Sequence, residues 1–164
     1  MNAMASPLVI TIRTDAGTSH VTVVGTVDEQ ADLSALEALR GAVELDLGGV
    51  RRFNSVGVRY WMDVLRDVAT RCQLTYVSCS RAVVEQLNMI TGFLASGTVR
   101  TFSAPMRCEP CDRDQDHVFD RAEVIALDGL PAVRCSSCGL ALELDDLEDS
   151  YLLFLREPTK VGSI

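Results

Sequence analysis

The sequence predicts an α/β fold, with a mixed, mostly parallel β-sheet, followed by a small cysteine-bearing unit. Three observations lead to this prediction. After residue 30, β-branched runs alternate with helical patterns, which is typical of parallel strands joined by right-handed crossovers. Two CxxC pairs follow residue 105, and most of the net negative charge lies in the same part of the chain. We therefore predict two domains, residues 1–105 and residues 106–164.

The first domain opens with a predicted β-hairpin. Leu8–Ile12 and Val21–Val27 are β-branched runs, and the Asp15–Thr18 segment between them has turn composition. Asp32 then precedes a helical stripe of leucines that Gly41 can end.

A strand, a turn and an amphipathic helix form the predicted centre of this domain. Val43–Leu47 has the composition of a buried strand, and Gly48–Asn54 predicts a turn. From Ser55 onward, apolar residues recur at the helical period. These residues are Val58, Trp61, Met62, Leu65, Val68 and Ala69.

The remaining elements of the first domain alternate in the same way. Leu74–Val77 predicts another strand, and Ser80 is the predicted N-cap of the helix that follows. Val99–Phe102 is the predicted last strand.

Ser55 is a candidate functional residue, because it lies where the helix begins. A phosphoryl group there would meet free backbone N–H groups and the positive end of the helix dipole. The alternative is that Ser55 or Asn54 serves only as the helix N-cap.

The strand, turn and helix around Ser55, with the order β-β-α-β-α-β-α-β, resemble the STAS domain of anti-anti-sigma factors. The resemblance covers roughly residues 8–103, and the family has an Asp-Ser-Ser/Thr-Gly-Leu loop at this place. It implies that a partner kinase phosphorylates Ser55 and that the loop and helix dock a protein, typically an anti-sigma kinase. Asn54 and Val56 depart from the family's loop and favour docking without phosphorylation. The candidate partner-binding residues are Arg51, Arg52, Asn54, Ser55, Val56, Gly57, Arg59 and Tyr60.

The four late cysteines have the spacing of a zinc site. Cys108 and Cys111 form one CxxC knuckle, and Cys135 and Cys138 form a second after 23 intervening residues. Four thiolates suit a structural zinc ion and leave no open position for catalysis. A bound zinc ion would also stabilise a unit too small to build a large hydrophobic core. We therefore predict a zinc-ribbon-like domain, with His117 as a surface residue.

Strand and tail predictions complete the second domain. Val118-Phe119 and Val124–Leu127 are the predicted ribbon strands, and Asp128-Gly129 is a turn. The acidic stretch Glu143–Asp149 is predicted to be a solvated helical face, and Leu152–Leu155 to pack on the ribbon or on the first domain.

Composition and charge restrict the function classes. The net charge is −8 and there is no basic stripe, which argues against nucleic-acid binding. No segment approaches the length of a membrane span, and there is no signal peptide, so we expect a cytoplasmic protein without membrane insertion. With only two histidines and no phosphate-binding loop, the sequence carries no enzyme signature.

Three functions remain open from the sequence. The first is a regulatory protein-binding module controlled through Ser55. The second is a constitutive adaptor in a larger signalling or transporter assembly, since STAS domains occur in both settings. The third is a thiol or zinc redox sensor, for which Cys72 and Cys79 are additional candidates.

Overall fold

A five-stranded sheet forms the first part of the fold. The computed structural model describes residues 6–156. The strands β1 to β5 follow one another across the sheet in sequence order. β1 and β2 are antiparallel, and β2 through β5 run parallel, which confirms the predicted mixed, mostly parallel sheet. The strands are β1 Val9–Asp15, β2 Thr18–Val27, β3 Gly41–Phe53, β4 Cys72–Val77 and β5 Thr98–Val99.

Helical segments connect the parallel strands. A 3-10 helix, Ser34–Ala38, takes the place of the longer helix that the leucine stripe predicts. The helices α1 (Ser55–Val68) and α2 (Arg81–Met89) follow β3 and β4. Right-handed crossovers between strands in sequential order place all connections on one face of the sheet. The buried residues of β2 and β3 alternate accordingly: Val21, Val23, Val43, Leu45 and Leu47.

The turn predicted at Gly48–Asn54 is wrong, because β3 continues as a strand to Phe53. β2 stays paired with it through two register shifts near Val24 and Gly25. A Cβ atom on Gly49 would lie 2.6 Å from Val24 Cγ2. The glycine therefore serves the close approach of two strands rather than a chain reversal.

A second sheet follows, with β6 (Thr101–Cys108) between β7 (Arg113–Asp120) and β8 (Glu143–Leu144). Both pairings are antiparallel. The single last strand predicted at Val99–Phe102 is divided at Arg100, so β5 belongs to the first sheet and β6 to the second. The predicted domain boundary at residue 105 falls inside β6.

The two sheets meet at Cys79, just beyond β4. The Cys79 N–H donates to the Thr101 carbonyl at 3.2 Å, and the Ser103 N–H donates to the Cys79 carbonyl at 2.8 Å. β6 therefore starts as a backbone partner of the first sheet and ends at Cys108.

The strand predicted at Val124–Leu127 is a helix, α3 (Arg121–Leu127). Asp120 caps its start by accepting the Glu123 N–H, and Asp128 ends it in the left-handed conformation. Val118-Phe119 lies in β7, as predicted. The acidic stretch Glu143–Asp149 is not one helical face, since β8 and the start of α4 (Glu148–Tyr151) divide it.

The chain then crosses back to the first part of the fold. The last helix, α5 (Leu153–Arg156), brings the Phe154 ring 5.2 Å from Phe102, in an edge-on contact. The Asn88 side chain on α2 donates to the Tyr151 carbonyl and accepts the Phe154 N–H. The buried apolar residues of both sheets consequently form one continuous core. None of the helices within residues 6–156 has the length and apolar character needed to cross a membrane.

Candidate functional site

The four late cysteines converge on one point. Their Sγ atoms all lie within 4.8 Å of one another. The Cys108–Cys138 sulfur separation is 3.5 Å and the Cys111–Cys135 separation is 4.0 Å. Tetrahedral thiolates around zinc, with bonds of about 2.3 Å, would be about 3.8 Å apart. The cluster can therefore hold a metal ion, as the CxxC spacing predicts.

The first knuckle is the turn between β6 and β7. Its tight reversal places Asp112 at a φ of +49°, and the Asp112 N–H donates to the Glu109 carbonyl. Arg107 ties the turn from the side through ion pairs with Glu109, Asp112 and Asp114. These contacts hold the turn that carries Cys108.

The second knuckle lies in a narrow loop that the Arg134–Ala141 bridge closes. The Gly139 N–H donates to the Cys135 carbonyl at 2.9 Å, and Gly139 has a φ of +75°. A glycine follows this CxxC pair because an L side chain rarely adopts that conformation.

The donor set suits a metal cation. Backbone N–H groups of Cys138 and Ser137 lower the pKa of the Cys135 thiol to about 6. The neighbouring sulfurs of Cys138 and Cys108 raise the pKa of Cys111 to about 12. Four sulfurs this close cannot all ionise unless a cation neutralises them, which is what a bound metal ion does. His117 is half-buried, and its ring packs 4.7 Å from Phe119, outside the sulfur cluster.

Ser55 is the first residue of α1 and its side chain is exposed. Asn54 caps the helix, since its Oδ1 accepts the Gly57 N–H at 2.7 Å. Of the two residues that the sequence offers as an N-cap, Asn54 therefore has that role. The Ser55 hydroxyl is left accessible from solvent.

The start of α1 is held tightly against the sheet. Gly57 is buried, and a Cβ atom there would lie 1.9 Å from the Val27 carbonyl oxygen. The Asn54 N–H donates to the same carbonyl at 3.2 Å. Behind this contact, Trp61 is fully buried against Phe53, with ring centroids 5.8 Å apart.

Glu29 is a part of this surface that the sequence analysis missed. The Asn54 side-chain amide donates to its carboxylate at 2.5 Å. The backbone N–H of Glu29 and this amide lower the pKa of the Glu29 carboxyl. Its position could have been inferred, because Glu29 follows β2 and the carboxyl ends of parallel strands β2 and β3 meet at one edge.

The other candidate residues divide between two settings. Ser55 and Arg59 are four residues apart on α1 and share a face, as do Val56 and the half-buried Tyr60. Arg51 and Arg52 are exposed and consecutive in β3, so their side chains leave the strand on opposite sides. The structure therefore gathers the helix residues and separates the two arginines. We name the surface of Asn54, Ser55, Val56, Arg59 and Glu29 the α1 platform.

Cys72 and Cys79 are both buried. Burial raises the pKa of Cys72, and it raises that of Cys79 to about 12. The thiolate is the reactive form of cysteine, so burial disfavours reaction at both side chains.

Two comparisons with known proteins found no match for this chain. No protein-family model matches the chain, and no curated protein matches it.

Proposed function

We propose that the chain is a noncatalytic regulatory protein-binding module, similar to anti-anti-sigma factors, that docks a partner through the α1 platform. The observation that carries the proposal is the exposed Ser55-Val56 pair at the start of a firmly seated helix. Val56 is 54% exposed, although it is apolar and lies on a surface of polar side chains. A rigid surface with one apolar contact and a polar rim suits protein docking.

Phosphorylation of Ser55 would change the charge of this surface. A phosphoryl group adds almost two negative charges at neutral pH. The Glu29 carboxylate already lies beside Asn54, next to Ser55 in sequence. A partner that accepts the platform with one carboxylate would meet a strongly anionic surface after phosphorylation. An anti-sigma kinase is the partner class that the family resemblance suggests.

The alternative function is a constitutive adaptor that uses the same platform. It is favoured by Asn54, whose amide donates to Glu29 as a carboxylate could not. In this version the Ser55 hydroxyl contributes to docking and receives no phosphate.

Partner recovery by the full-length protein distinguishes the two. A Val56→Asp variant should lose the partner in both versions, because a charge replaces the exposed apolar contact. If Ser55 is a phosphorylation switch, Ser55→Asp should lower the affinity for the partner about tenfold, and Ser55→Ala should leave it unchanged. Equal recovery of both Ser55 variants would favour the adaptor.

The matched control is Ser96→Asp, which adds the same charge at another exposed serine. Circular dichroism of each variant checks that the fold is retained. If Val56→Asp and Ser55→Asp recover as much partner as Ser96→Asp does, the α1 platform is not the docking surface.

We propose that the ion at the four cysteines is Zn²⁺ and that its role is structural. Four thiolates complete a tetrahedral zinc shell without an open position. Two knuckles next to a three-stranded antiparallel sheet are similar to a zinc ribbon. Elemental analysis of purified protein should find about one zinc per chain.

A redox sensor remains as a third function, confined to these four cysteines. It predicts that mild peroxide releases the metal and alters partner binding. If the metal stays bound under peroxide, the protein is not a redox sensor of this kind.

A further inference from the structure

A groove of about 260 Å³ lies away from the α1 platform and the sulfur cluster. It is formed by the end of α2, the loop of residues 90–98, β5, the start of α3 and α5. Its wall combines polar atoms with apolar side chains, which include Leu87, Ile90, Phe93, Leu94, Val99 and Phe154. At about 30 Å³ for each water molecule, the volume suits a ligand the size of a medium-length hydrocarbon chain.

Arg121 is the charged side chain of this groove. It is half-buried, and within residues 6–156 it forms no ion pair and no side-chain hydrogen bond. Its neighbour Arg100 is different, because it pairs with Glu44 at 2.7 Å. A half-buried guanidinium that has no anionic partner among the described residues can pair with the carboxylate of a ligand.

The position of Arg121 is also fixed. Its backbone N–H donates to the Arg100 carbonyl at 2.9 Å, and the residue opens α3 directly after the cap Asp120. The guanidinium therefore extends from a fixed backbone position beside an apolar wall.

We propose that this groove binds a small apolar monocarboxylate. The hydrocarbon part lies against the apolar side chains, and the carboxylate pairs with the Arg121 guanidinium. The site is separate from the α1 platform, so the two proposals stand or fall independently.

The protein carries its own reporter for this groove. Trp61 is the single tryptophan of the chain, and its ring stacks on Phe93 at a centroid distance of 6.4 Å. Phe93 lines the groove, so a ligand that displaces its ring changes the surroundings of Trp61. Among residues 6–156, the Trp61 Nε1–H has no hydrogen-bond partner.

The experiment titrates the full-length, metal-loaded protein with octanoate, octanol and octylammonium. Tryptophan fluorescence and the methyl resonances of Leu87 and Val99 report binding. Octanoate should saturate and bind about tenfold more tightly than octanol, since a charged hydrogen bond distinguishes the two ligands. Octylammonium should bind most weakly of the three.

Two variants test the carboxylate contact and the hydrocarbon contact of the ligand separately. Arg121→Gln should remove the preference for octanoate over octanol, whereas Arg13→Gln, on exposed β1, should leave it unchanged. Leu87→Ala should weaken octanoate and octanol by the same factor, about threefold or more. Octanoate that fails to saturate in the wild-type protein, or a preference that survives Arg121→Gln, would overturn the proposal.

Discussion

Gly57 shows how one residue fixes the orientation of the α1 platform. Most helix glycines are unfavourable because they leave the backbone free. Here the missing side chain lets the first turn of α1 rest directly on the Val27 carbonyl. Glycine lowers the helix propensity of this turn, but any Cβ at this position would push the helix away from the sheet.

A Gly57→Ala substitution should therefore destabilise the protein in spite of the better helix propensity of alanine. The new Cβ would lie 1.9 Å from the Val27 oxygen, so the helix or the strand must move. We expect a loss of about 2 kcal/mol in the free energy of unfolding, measured by urea denaturation.

Gly129→Ala is the control for this measurement, because its Cβ would meet only Glu148 Oε1 at an ordinary 3.4 Å. It should change the free energy by less than about 0.5 kcal/mol. Equal effects of the two substitutions would mean that the contact at Gly57 is not the cause.

Asn54 caps α1 through its side-chain oxygen and donates to Glu29 through its side-chain amide. In Asn54→Asp, two carboxylates would share the place where the amide now donates to Glu29 at 2.5 Å. The pKa of Glu29, lowered at present mainly by its own backbone N–H and then by Asn54, would shift upward. The stability deficit of the variant should be greatest at neutral pH and shrink as the carboxylates become protonated near about pH 4.

Asn54→Ser keeps a capping oxygen without a charge and is the reference for this series. Urea midpoints of the Asp and Ser variants should converge on acidification. A gap between them that is constant with pH would show that charge repulsion at Glu29 is not involved.

At the scale of elements, the sequence predicted those whose patterns are local. The apolar period from Val58 to Val68 predicted α1, and the two-residue turn at Ala16-Gly17 forms the predicted hairpin. The extension of β3 through Gly49 could not be predicted, because it depends on close packing against Val24 of another strand. Local patterns are readable where they agree with tertiary contacts and fail where contacts override them.

The same distinction between local patterns and tertiary contacts decides which residues of the candidate site the sequence predicts. Cysteine spacing predicted the sulfur cluster, because CxxC geometry is itself local. The sequence predicts a ribbon strand at Val124–Leu127, but Asp120 caps a helix there. Glu29 and Arg121 became evident only when the fold placed them beside Asn54 and the groove.

The contact of α2 with the C-terminal helices depends on Asn88. Its amide donates to the Tyr151 carbonyl at 3.0 Å and accepts the Phe154 N–H at 2.8 Å. In Asn88→Ala, both partners lose these bonds in a half-buried place. We expect a loss of about 2 kcal/mol and faster hydrogen exchange at the Phe154 amide.

Gln86→Ala, also half-buried on α2, is the matched control and should leave exchange at Phe154 unchanged. Unaltered exchange in Asn88→Ala would show that the aromatic contact of Phe154 with Phe102 is sufficient to hold α5.

At the scale of the whole molecule, the shared core couples the sulfur cluster to the first sheet. Cys108 ends β6, and Phe102 near the start of that strand is fully buried in the common core. Removal of the proposed zinc ion by a chelator should therefore lower the melting temperature of the entire protein in one transition. The drop should be at least 10 °C, equivalent to about 4 kcal/mol for a chain of this length.

Cys138→Ser should reproduce this loss and reduce the bound metal, measured by elemental analysis and calorimetry. Ser136→Ala, at an exposed position in the same knuckle, should have neither effect. Two separate melting transitions, with only one sensitive to the chelator, would contradict the coupling.

The backbone pairing at Cys79 bears on how fragments of this protein can be made. A chain cut just after β5 would leave the Cys79 N–H and carbonyl without the two partners that Thr101 and Ser103 supply. It would also remove the contact of β6 with α2. Anyone expressing the first sheet alone should therefore include β6, although that strand ends at Cys108 of the sulfur cluster. The cysteine-bearing part of the chain therefore shares backbone hydrogen bonds with the first sheet. Moving it onto another protein would require a replacement for the pairing of Cys79 with Thr101 and Ser103.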